Sequence, residues 1–413
     1  MRSIPIVNGL AFAVAALAVS SASAQTPDQV AQAVLAENPV IDGHNDAPEQ
    51  IADRFAGDFT QFDFHDTVPT TSKGSAPMHT DIARLRQGKV GGQFWSVWID
   101  PELPEFEAVQ RVIEQIDIVH RLVGEYPEDL QLALTAGDVE MAQKQGRIAS
   151  LIGMEGGHSI GNSLAVLRQT YALGARYMTL THWKTLDWAD SATDAPKSDG
   201  LSEFGVSVVE EMNRLGMIVD ISHVSEATMN DTLDVTKAPV IFSHSSADGV
   251  TRHSRNVPDA VLKRLKENGG LVMVTFVPSY VNSANRDWDA AHKAEQARAA
   301  ALFPGDADAR AAHMANWRES NPMPPVTAKD IADHIDHIRS IAGIDHIGIG
   351  GDYDGITSTP DDLGDVSTYP VLFTELARRG YSATDLAKIA RGNILRVMRG
   401  VESTAVQLAK NQK

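Results

Sequence analysis

Short apolar or β-branched runs alternate with longer amphipathic segments along most of the chain. This alternation predicts repeated strand–helix units around a parallel sheet. Eight runs predict strands, at 39–41, 93–99, 149–154, 176–181, 217–222, 240–243, 270–276 and 346–350. Apolar residues at helical spacing predict helices at 105–123, 162–173, 203–215 and 328–341. Gly174, Gly216 and Gly343 stand where helices of this kind end.

Eight such alternations in 413 residues favour an α/β fold of the (β/α)8 TIM-type barrel class over a doubly wound sheet. The sequence has no internal repeat of fixed period, so we expect residues 25–413 to form a single domain. The stretch 283–325, which follows the seventh predicted strand, is rich in Ala, Arg and Asp and ends in a Pro-rich segment. It predicts a helical insertion that packs against the barrel or covers its mouth.

The first 24 residues have the pattern of a cleaved secretory signal peptide. Arg2 supplies the positive start, 10–19 is an uncharged apolar run, and 22–24 is a small-x-small cleavage site. The run is about half of the ~20 residues that span a bilayer, which favours export and removal over a membrane anchor. The chain has no Cys, and therefore neither a disulfide nor a lipid-attachment cysteine. We expect a periplasmic or secreted mature protein.

The charge balance excludes one class of partner. Lys and Arg number 36 and Asp and Glu number 54, which gives a net charge of −18. Such a surplus repels phosphate backbones and anionic lipid surfaces, so nucleic acid is not an expected partner. No Gly-rich loop is followed by Lys-Ser or Lys-Thr, and nucleotide binding is not expected either.

Acidic and histidine residues follow six of the eight predicted strands. A lone histidine after a strand is usually an ordinary hydrogen-bonded loop residue. Histidine or acidic residues after six strands of one sheet favour a common functional site instead. The carboxyl ends of parallel barrel strands lie on one face, where active sites are built, so these side chains should converge. They are His44 and Asp46 after the first strand, Glu155 after the third, and His182, His223, His244 and Asp352 after the fourth, fifth, sixth and eighth.

Five of these residues predict a metal centre. His44 and Asp46, two positions apart, leave a strand on the same side and offer the nitrogen and oxygen ligands that suit divalent metals. Glu155, His223 and His244 raise the number of candidate ligands to five, more than one tetrahedral zinc ion with an open position requires. Two metals bridged by Glu155 would use all five.

Seven strings stand in fixed order along nearly the whole chain after residue 24. They are IDGHND (41–46), GMEGGHS (153–159), TLTH (179–182), DISHVS (220–225), FSHSSA (242–247), RNVPD (255–259) and GGDYDG (350–355). Together they resemble the membrane (renal) dipeptidase family of the amidohydrolase superfamily. The resemblance implies a zinc-dependent dipeptidase with two Zn²⁺ per subunit that hydrolyses free dipeptides, those with a C-terminal D-residue among the candidates, and it suggests a homodimer.

The resemblance also implies how the ligands are shared. His44 and Asp46 hold one zinc ion, His223 and His244 hold the other, and Glu155 bridges them. A metal-bridging hydroxide is then the nucleophile, because two metals depress the pKa of a water between them and polarise the peptide carbonyl.

Four further roles follow from the same resemblance. His182 contacts the substrate carbonyl and, with Asp352, forms the catalytic pair, in which Asp352 moves the proton from the attacking water to the leaving amine. Arg255 and Tyr280 face the substrate carboxylate. The planar fork of an arginine suits a free carboxylate because it can pair with both oxygens.

Two alternatives remain open. One is a noncatalytic exported barrel that binds zinc or peptides, although pure metal binding needs neither His182 nor Asp352. The other is a different amidohydrolase-type metallohydrolase, such as a lactonase or phosphotriesterase; Glu155 in place of a strand-end Lys and the presence of Arg255 argue against it. Cobalt or manganese could occupy the same ligands, since selectivity also follows metal availability.

Five more residues near these motifs receive supporting roles. Asp42, Asp354 and His158 are expected to hydrogen-bond to or brace metal ligands, as carboxylates near metal-bound histidines commonly do. Trp183 and Trp188, in the segment after the fourth predicted strand, are candidates either for the wall of a substrate pocket or for ordinary packing.

Overall fold

The computed structural model describes residues 25–70 and 77–411, and the signal peptide predicted at 1–24 lies outside them. The strands in the described part are β1 (Val40–Asn45), β2 (Val90–Trp98), β3 (Leu130–Leu132), β4 (Ile148–Glu155), β5 (Ala175–Thr179), β6 (Ile218–Asp220), β7 (Ile241–Ser245), β8 (Leu271–Val274) and β9 (Ile347–Ile349).

Helices follow most of the strands. They are α1 (Pro27–Glu37), α2 (Ala47–Phe55), α3 (Ile82–Gln87), α4 (Glu105–Glu125), α5 (Ala136–Lys144), α6 (Leu164–Ala172), α7 (Glu203–Leu215), α8 (Glu226–Val235), α9 (Asp259–Asn268), α10 (Pro278–Val281), α11 (Ser283–Leu302), α12 (Ala307–Ser320), α13 (Ala328–Ile341), α14 (Tyr369–Arg378), α15 (Ala383–Ala387) and α16 (Asn393–Asn411). None of these helices is both long and apolar enough to cross a membrane.

Eight of the strands form a closed parallel barrel, which confirms the predicted (β/α)8 class. Their order around the ring is β2, β1, β9, β8, β7, β6, β5 and β4, and a parallel pairing of β2 with β4 closes it. Every residue of β1 and of β4 is buried, as expected for strands with side chains inside the barrel on one face and helices packed over the other.

The ninth strand, β3, is an addition that the sequence pattern does not reveal. It pairs with the start of β4, from Ile148 to Ser150, whereas β5 pairs with β4 only from Ile152 onward. With three residues, two of them Leu, β3 is too short to show the two-residue period of a strand.

Local chemistry explains why two helices match their predicted bounds, 203–215 and 328–341. The Ser202 side chain caps the start of α7 by accepting from the Gly205 amide, and Gly216 ends that helix in the left-handed region with φ of 83°. A capping box at Thr327 and Asp330 starts α13 in a similar way.

The first strand is longer than predicted, because Val40–Asn45 replaces 39–41. Asp42 and Gly43 interrupt the apolar pattern, but the buried Asp42 carboxylate has partners: it accepts from the amides of His44 and Gly351 at 2.8 Å each. His44 therefore lies within the strand and not in the loop after it.

The stretch 283–325, predicted as a helical insertion, contains α11 and α12. Within these two helices only Asn285, Ala299 and Met314 are buried, so most of their surface faces solvent. The indole of Trp288 donates to the carbonyl of Asn321 at 2.8 Å and ties the two helices together at their open end.

Candidate metal centre

The carboxyl ends of the barrel strands bring seven predicted residues together. Their ligand atoms form three overlapping groups within which all atoms lie no more than 4.8 Å apart. Glu155 belongs to two groups and His44 to two, so the groups make one continuous cluster. The groups are His44, Glu155 and His244; Glu155, His182 and His223; and His44, Asp46 and Asp352.

Glu155, the last residue of β4, occupies the middle of the cluster. Its Oε1 lies 3.0 Å from Nε2 of His223 and 3.3 Å from Nε2 of His244. Its Oε2 lies 3.3 Å from Nε2 of His44 and accepts from the Ser96 hydroxyl at 3.2 Å. Burial opposes ionisation, but the neighbouring histidines, His44 first, hold the pKa of Glu155 well below its usual value. The two carboxylate oxygens thus face different histidines, which is the arrangement a bridging ligand needs.

A buried hydroxyl fixes which nitrogen of His44 carries its proton. Nδ1 of His44 lies 2.9 Å from Oη of Tyr177, and that hydroxyl donates to the carbonyl of Gly43 at 3.2 Å. Since the hydroxyl proton is used, Nδ1–H of His44 must be the donor, and the Nε2 lone pair points into the cluster. The ring of Tyr177 packs directly against the backbone of Gly153 in the neighbouring strand, where any side chain would clash with it.

The Nε2 lone pair of His44 faces negative charge. Nε2 lies 3.4 Å from Oδ2 of Asp46 and 3.3 Å from Oε2 of Glu155, and within the described chain it has no hydrogen-bond partner. Asp46 stands at the N-cap of α2 but its carboxylate does not cap the helix, and its buried Oδ1 is likewise without a partner. A lone pair between carboxylate oxygens is stable only with a cation among them, so this donor set fits a divalent metal.

A proton competes for the same place. Burial lowers the pKa of His44, but Tyr177 and the carboxylates of Glu155 and Asp46 raise it well above its usual value. Metal affinity at His44 should therefore fall as the pH falls, because the ion must displace that proton.

His244 and His223 form the other half of the cluster. Nδ1 of His244 lies 2.8 Å from Oγ of Ser243, which donates to Oδ2 of Asp220 at 2.6 Å, so Nδ1–H is again the donor and the Nε2 lone pair faces inward. Burial, with Arg255 and neighbouring histidines, lowers the pKa of both imidazoles well below the usual value. Their Nε2 atoms lie 2.8 Å apart, near enough for one metal ion to contact both.

The backbone is strained where two of the cluster residues leave the barrel. His223 has φ of 64° and Asp352 also has φ of 64°, in the left-handed region that favours glycine. Non-glycine residues adopt this conformation mainly where surrounding structure enforces it, and here it turns both side chains into the barrel mouth.

His182 differs from the other histidines because its partner is an indole. Nε1–H of Trp98 can only donate, and it lies 3.3 Å from Nδ1 of His182, so the proton of a neutral His182 is on Nε2. That Nε2 lies 3.5 Å from Oε1 of Glu155. A protonated nitrogen cannot ligate a metal but can donate to an oxygen, so His182 is suited to hold a carbonyl oxygen.

Arg255 is a buried cation beside the cluster. It is 2% exposed, its Nη1 donates to Oγ of Ser245 at 3.3 Å, and its Nη2 donates to the carbonyl of His244 at 3.2 Å. Its Nε has no partner, and no carboxylate of the described residues forms an ion pair with it. The guanidinium lies 5.4 Å from the ring centre of Tyr280. A buried, unpaired guanidinium favours binding of an anion.

Six residues of the cluster, all but His44, line one pocket of about 360 Å³ together with Arg255. Asp352 lies in its wall, where burial and the carboxylates of Asp46 and Glu155 raise its pKa well above the usual value against the opposing effect of His44. A carboxyl group with a raised pKa can hold and release a proton. Other residues of the wall include Glu49, Trp98, Trp183, Arg255, Tyr280 and Ile356.

The supporting residues are only partly as predicted. Asp42 does brace a site residue, through the amide of His44, and Asp354 accepts from the amide of His79 at 2.7 Å. His158 bonds to the carbonyl of Ile99 at 2.9 Å and touches no candidate ligand. Trp183 lines the pocket.

Trp188, in contrast, is 1% exposed and packs edge-on against Phe204. Four residues of the site or its surroundings do not stand out in the sequence pattern: Tyr177, Ser243, Trp98 and Glu49. The signal that could have found the first two is a hydroxyl side chain within a predicted strand, Tyr177 in 176–181 and Ser243 in 240–243.

The chain is similar to one protein family along almost its whole length. The family model described as membrane dipeptidase (peptidase family M19) matches residues 28–412. The structure is similar to that of the probable dipeptidase PvdM from Pseudomonas aeruginosa, with a TM-score of 0.78 and 25% identity over 92% of this chain and 99% of that chain.

Two further solved structures share the fold. One is a metallo peptidase from Rhodobacter sphaeroides liganded with a phosphinate mimic of the dipeptide L-Ala-D-Ala, with a TM-score of 0.71 and 22% identity over 88% of this chain and 99% of that one. The other is an amidohydrolase from Pseudomonas aeruginosa, with a TM-score of 0.68 and 20% identity over 91% of this chain and 99% of that one.

Proposed function

Because the chain belongs to the membrane dipeptidase family and is a metallo-dipeptidase, we propose that it hydrolyses free dipeptides with two zinc ions bound in the barrel mouth. The observation that carries this proposal is the buried, unpaired guanidinium of Arg255 in the same pocket as the ligand cluster. A metal site alone needs no anion-binding group, whereas a peptidase for free dipeptides needs one for the substrate carboxylate.

We assign His44 and Asp46 to one zinc ion, His223 and His244 to the other, and Glu155 to both. The inward lone pairs of His44 and His244 and the unpartnered Oδ1 of Asp46 support this assignment. Nitrogen and carboxylate ligands suit zinc. When bound, two zinc ions supply a hydroxide nucleophile near neutral pH and polarise the peptide carbonyl.

The protein's own groups then orient the substrate. Arg255 pairs with the C-terminal carboxylate, and Tyr280, whose ring lies beside the guanidinium, closes that end of the pocket. Anchoring the carboxylate next to the cluster admits one residue on the C-terminal side of the scissile bond. The enzyme therefore acts on dipeptides and discriminates against amides that lack the carboxylate.

Two residues act on the reacting atoms. His182 donates from Nε2 to the carbonyl oxygen as negative charge develops there, an interaction worth about 3 kcal/mol per donor. Asp352 accepts the proton of the attacking water and delivers it to the amine that leaves. Its place in the pocket wall, in one group with His44 and Asp46, supports this role because it puts a carboxyl group beside the reacting atoms.

Further parts of the proposal rest on the sequence and on similar proteins. Dipeptides with a C-terminal D-residue are included among the substrates, since the Rhodobacter sphaeroides structure of the same fold binds a mimic of L-Ala-D-Ala. The pattern of residues 1–24 supports export to the periplasm or the medium, without a membrane anchor after cleavage. A homodimer is the proposed assembly.

The test is hydrolysis of L,L and L,D dipeptides, with N-acetylated and C-amidated controls, before and after chelation. We expect cleavage that chelation abolishes, zinc restores and C-amidation prevents. Arg255→Gln should lower kcat/KM by about 10- to 100-fold through the loss of a charge-assisted pair, whereas Arg252→Gln, an exposed neighbour, should not.

Two outcomes would overturn the proposal. Protein that holds about two metals but cleaves no dipeptide would favour a noncatalytic binder. Hydrolysis of lactones or phosphotriesters without hydrolysis of dipeptides would favour another metallohydrolase.

A further inference from the structure

Glu49 is an acidic residue in the wall of the pocket, next to the candidate metal ligands. It lies in the first turn of α2, three residues after Asp46, and its side chain is half-buried. It makes no hydrogen bond or ion pair with any residue that the structure describes. A carboxyl group in this position has lost part of its hydration and has gained no partner in return.

The charges that shift the pKa of Glu49 most are all of its own sign. Burial first, and then the carboxylates of Asp46, Asp53, Glu155 and Asp352, raise the pKa of Glu49 to about 9. Metal ions bound to the cluster offset the charges of the ligands but give Glu49 no hydrogen-bond donor. A donor that carries positive charge is therefore the group that this position would bind most favourably.

The position of Glu49 in the ring indicates which part of a substrate it would meet. Glu49 follows β1, and Arg255 follows β7, which is three strands away around the eight-stranded ring. With the carboxylate of a dipeptide at Arg255 and the scissile bond at the cluster, the N-terminal residue extends away from Arg255. Glu49, next to Asp46, lies on the β1 side of the mouth, where that residue would be.

We propose that Glu49 is a specificity-determining residue that pairs with a cationic group of the substrate's N-terminal residue. The cation is an ammonium or guanidinium, either the free α-ammonium or a basic side chain of that residue. This inference rests on the proposed dipeptidase function and deepens it: the pocket then recognises both ends of its substrate by charge, with Arg255 at one end and Glu49 at the other.

The test compares Glu49→Gln with wild type on four substrates. Ala-Ala and norleucyl-Ala carry only the α-ammonium, Lys-Ala adds a basic side chain of similar length to norleucine, and propionyl-Ala lacks the α-ammonium. Asp53→Asn is the matched control, because Asp53 lies on the same helix but is exposed and outside the pocket wall. Bound zinc is measured for each variant, since the isosteric substitution should leave metal content unchanged.

Either cation source gives a distinct expected result. If Glu49 binds the α-ammonium, Glu49→Gln lowers kcat/KM roughly tenfold for Ala-Ala, norleucyl-Ala and Lys-Ala alike and leaves propionyl-Ala unchanged. If it binds a basic side chain, the loss of roughly tenfold is confined to Lys-Ala. Asp53→Asn should stay within about twofold of wild type on all four.

Other results would overturn the inference. Values for Glu49→Gln within twofold of wild type on every substrate would remove Glu49 from recognition while leaving the dipeptidase function intact. Loss of zinc from Glu49→Gln would make Glu49 part of the metal centre instead. Wild-type protein that cleaves none of the dipeptides would overturn the proposed function and this inference with it.

Discussion

Tyr177→Phe removes one oxygen atom that touches no substrate, and we expect it to weaken zinc binding. The hydroxyl accepts from Nδ1–H of His44 and donates to the carbonyl of Gly43. Without it the ring still packs against Gly153, so the core keeps its shape. What is lost is the partner that holds the His44 ring in one tautomer and one orientation.

The magnitude follows from the burial of both groups. His44 and Tyr177 are almost fully buried, so water cannot replace the missing hydroxyl. Loss of a group that orients a metal-bound histidine typically costs 10- to 100-fold in metal affinity, which is about 1.4–2.8 kcal/mol. The metal-free protein should also lose about 1–3 kcal/mol of stability, because a buried N–H is left without an acceptor.

The assay is competition for zinc between the protein and a chromophoric chelator at fixed pH. Tyr381→Phe is the matched control: its hydroxyl donates to Asp336 at 2.7 Å, on the outer layer of helices away from the barrel mouth. We expect weaker zinc binding for Tyr177→Phe and wild-type binding for Tyr381→Phe. Equal zinc affinity for Tyr177→Phe and wild type would refute the argument that this hydroxyl fixes the tautomer of His44.

Two other predictions concern catalysis and acid stability. Trp98→Phe removes the donor to Nδ1 of His182, so we expect kcat to fall about fivefold while KM and zinc content stay near wild type. Steady-state kinetics measures both constants, and an unchanged kcat would contradict the prediction. Burial lowers the pKa of His334 to about 4, while Nδ1 accepts from the amide of Ala247 and Nε2 bonds to the carbonyl of Val281. The unfolded chain binds this proton near pH 6.5 and the folded chain only near pH 4. The neutral His334 therefore contributes fully to the free energy of unfolding above pH 6.5, and this contribution is lost as the pH drops toward 4. Between pH 7 and pH 4.5, we expect the free energy of unfolding of the metal-free protein, measured with urea, to fall by roughly 2–3 kcal/mol less in His334→Gln than in wild type. Equal losses in the two proteins would contradict this reasoning.

The barrel and the convergence of the ligands could be predicted because both rest on local signals. Apolar runs, amphipathic helices, the Ser202 cap and Gly216 are all readable within a few residues. A polar residue at a strand end needs only the rule that parallel strands end on one face. For that reason His223 and His244, 21 positions apart in the chain, could be expected in contact.

What could not be predicted depends on distances between remote segments. From the sequence, Asp42 and Asn45 look like polar residues that end a strand. Only the folded barrel shows that these buried side chains have hydrogen-bond partners and belong to β1. Tyr177 reads as an ordinary core residue, and its role depends on His44, which is 133 positions away. Glu49 reads as a solvated residue of a helix until the pocket around it is known.

The order of strands in the ring also bears on how the protein matures. β1, near the start of the described chain, pairs directly with β9, near its end, through Asp42 and Ile349. Asp352, which follows β9, lies in one group with His44 and Asp46, at the end of β1 and just after it. A chain that is still being synthesised therefore cannot complete this pocket before residue 352 is available. Contacts of such long range form slowly, so closure of the ring is a late event in folding, and the pocket is complete only after it.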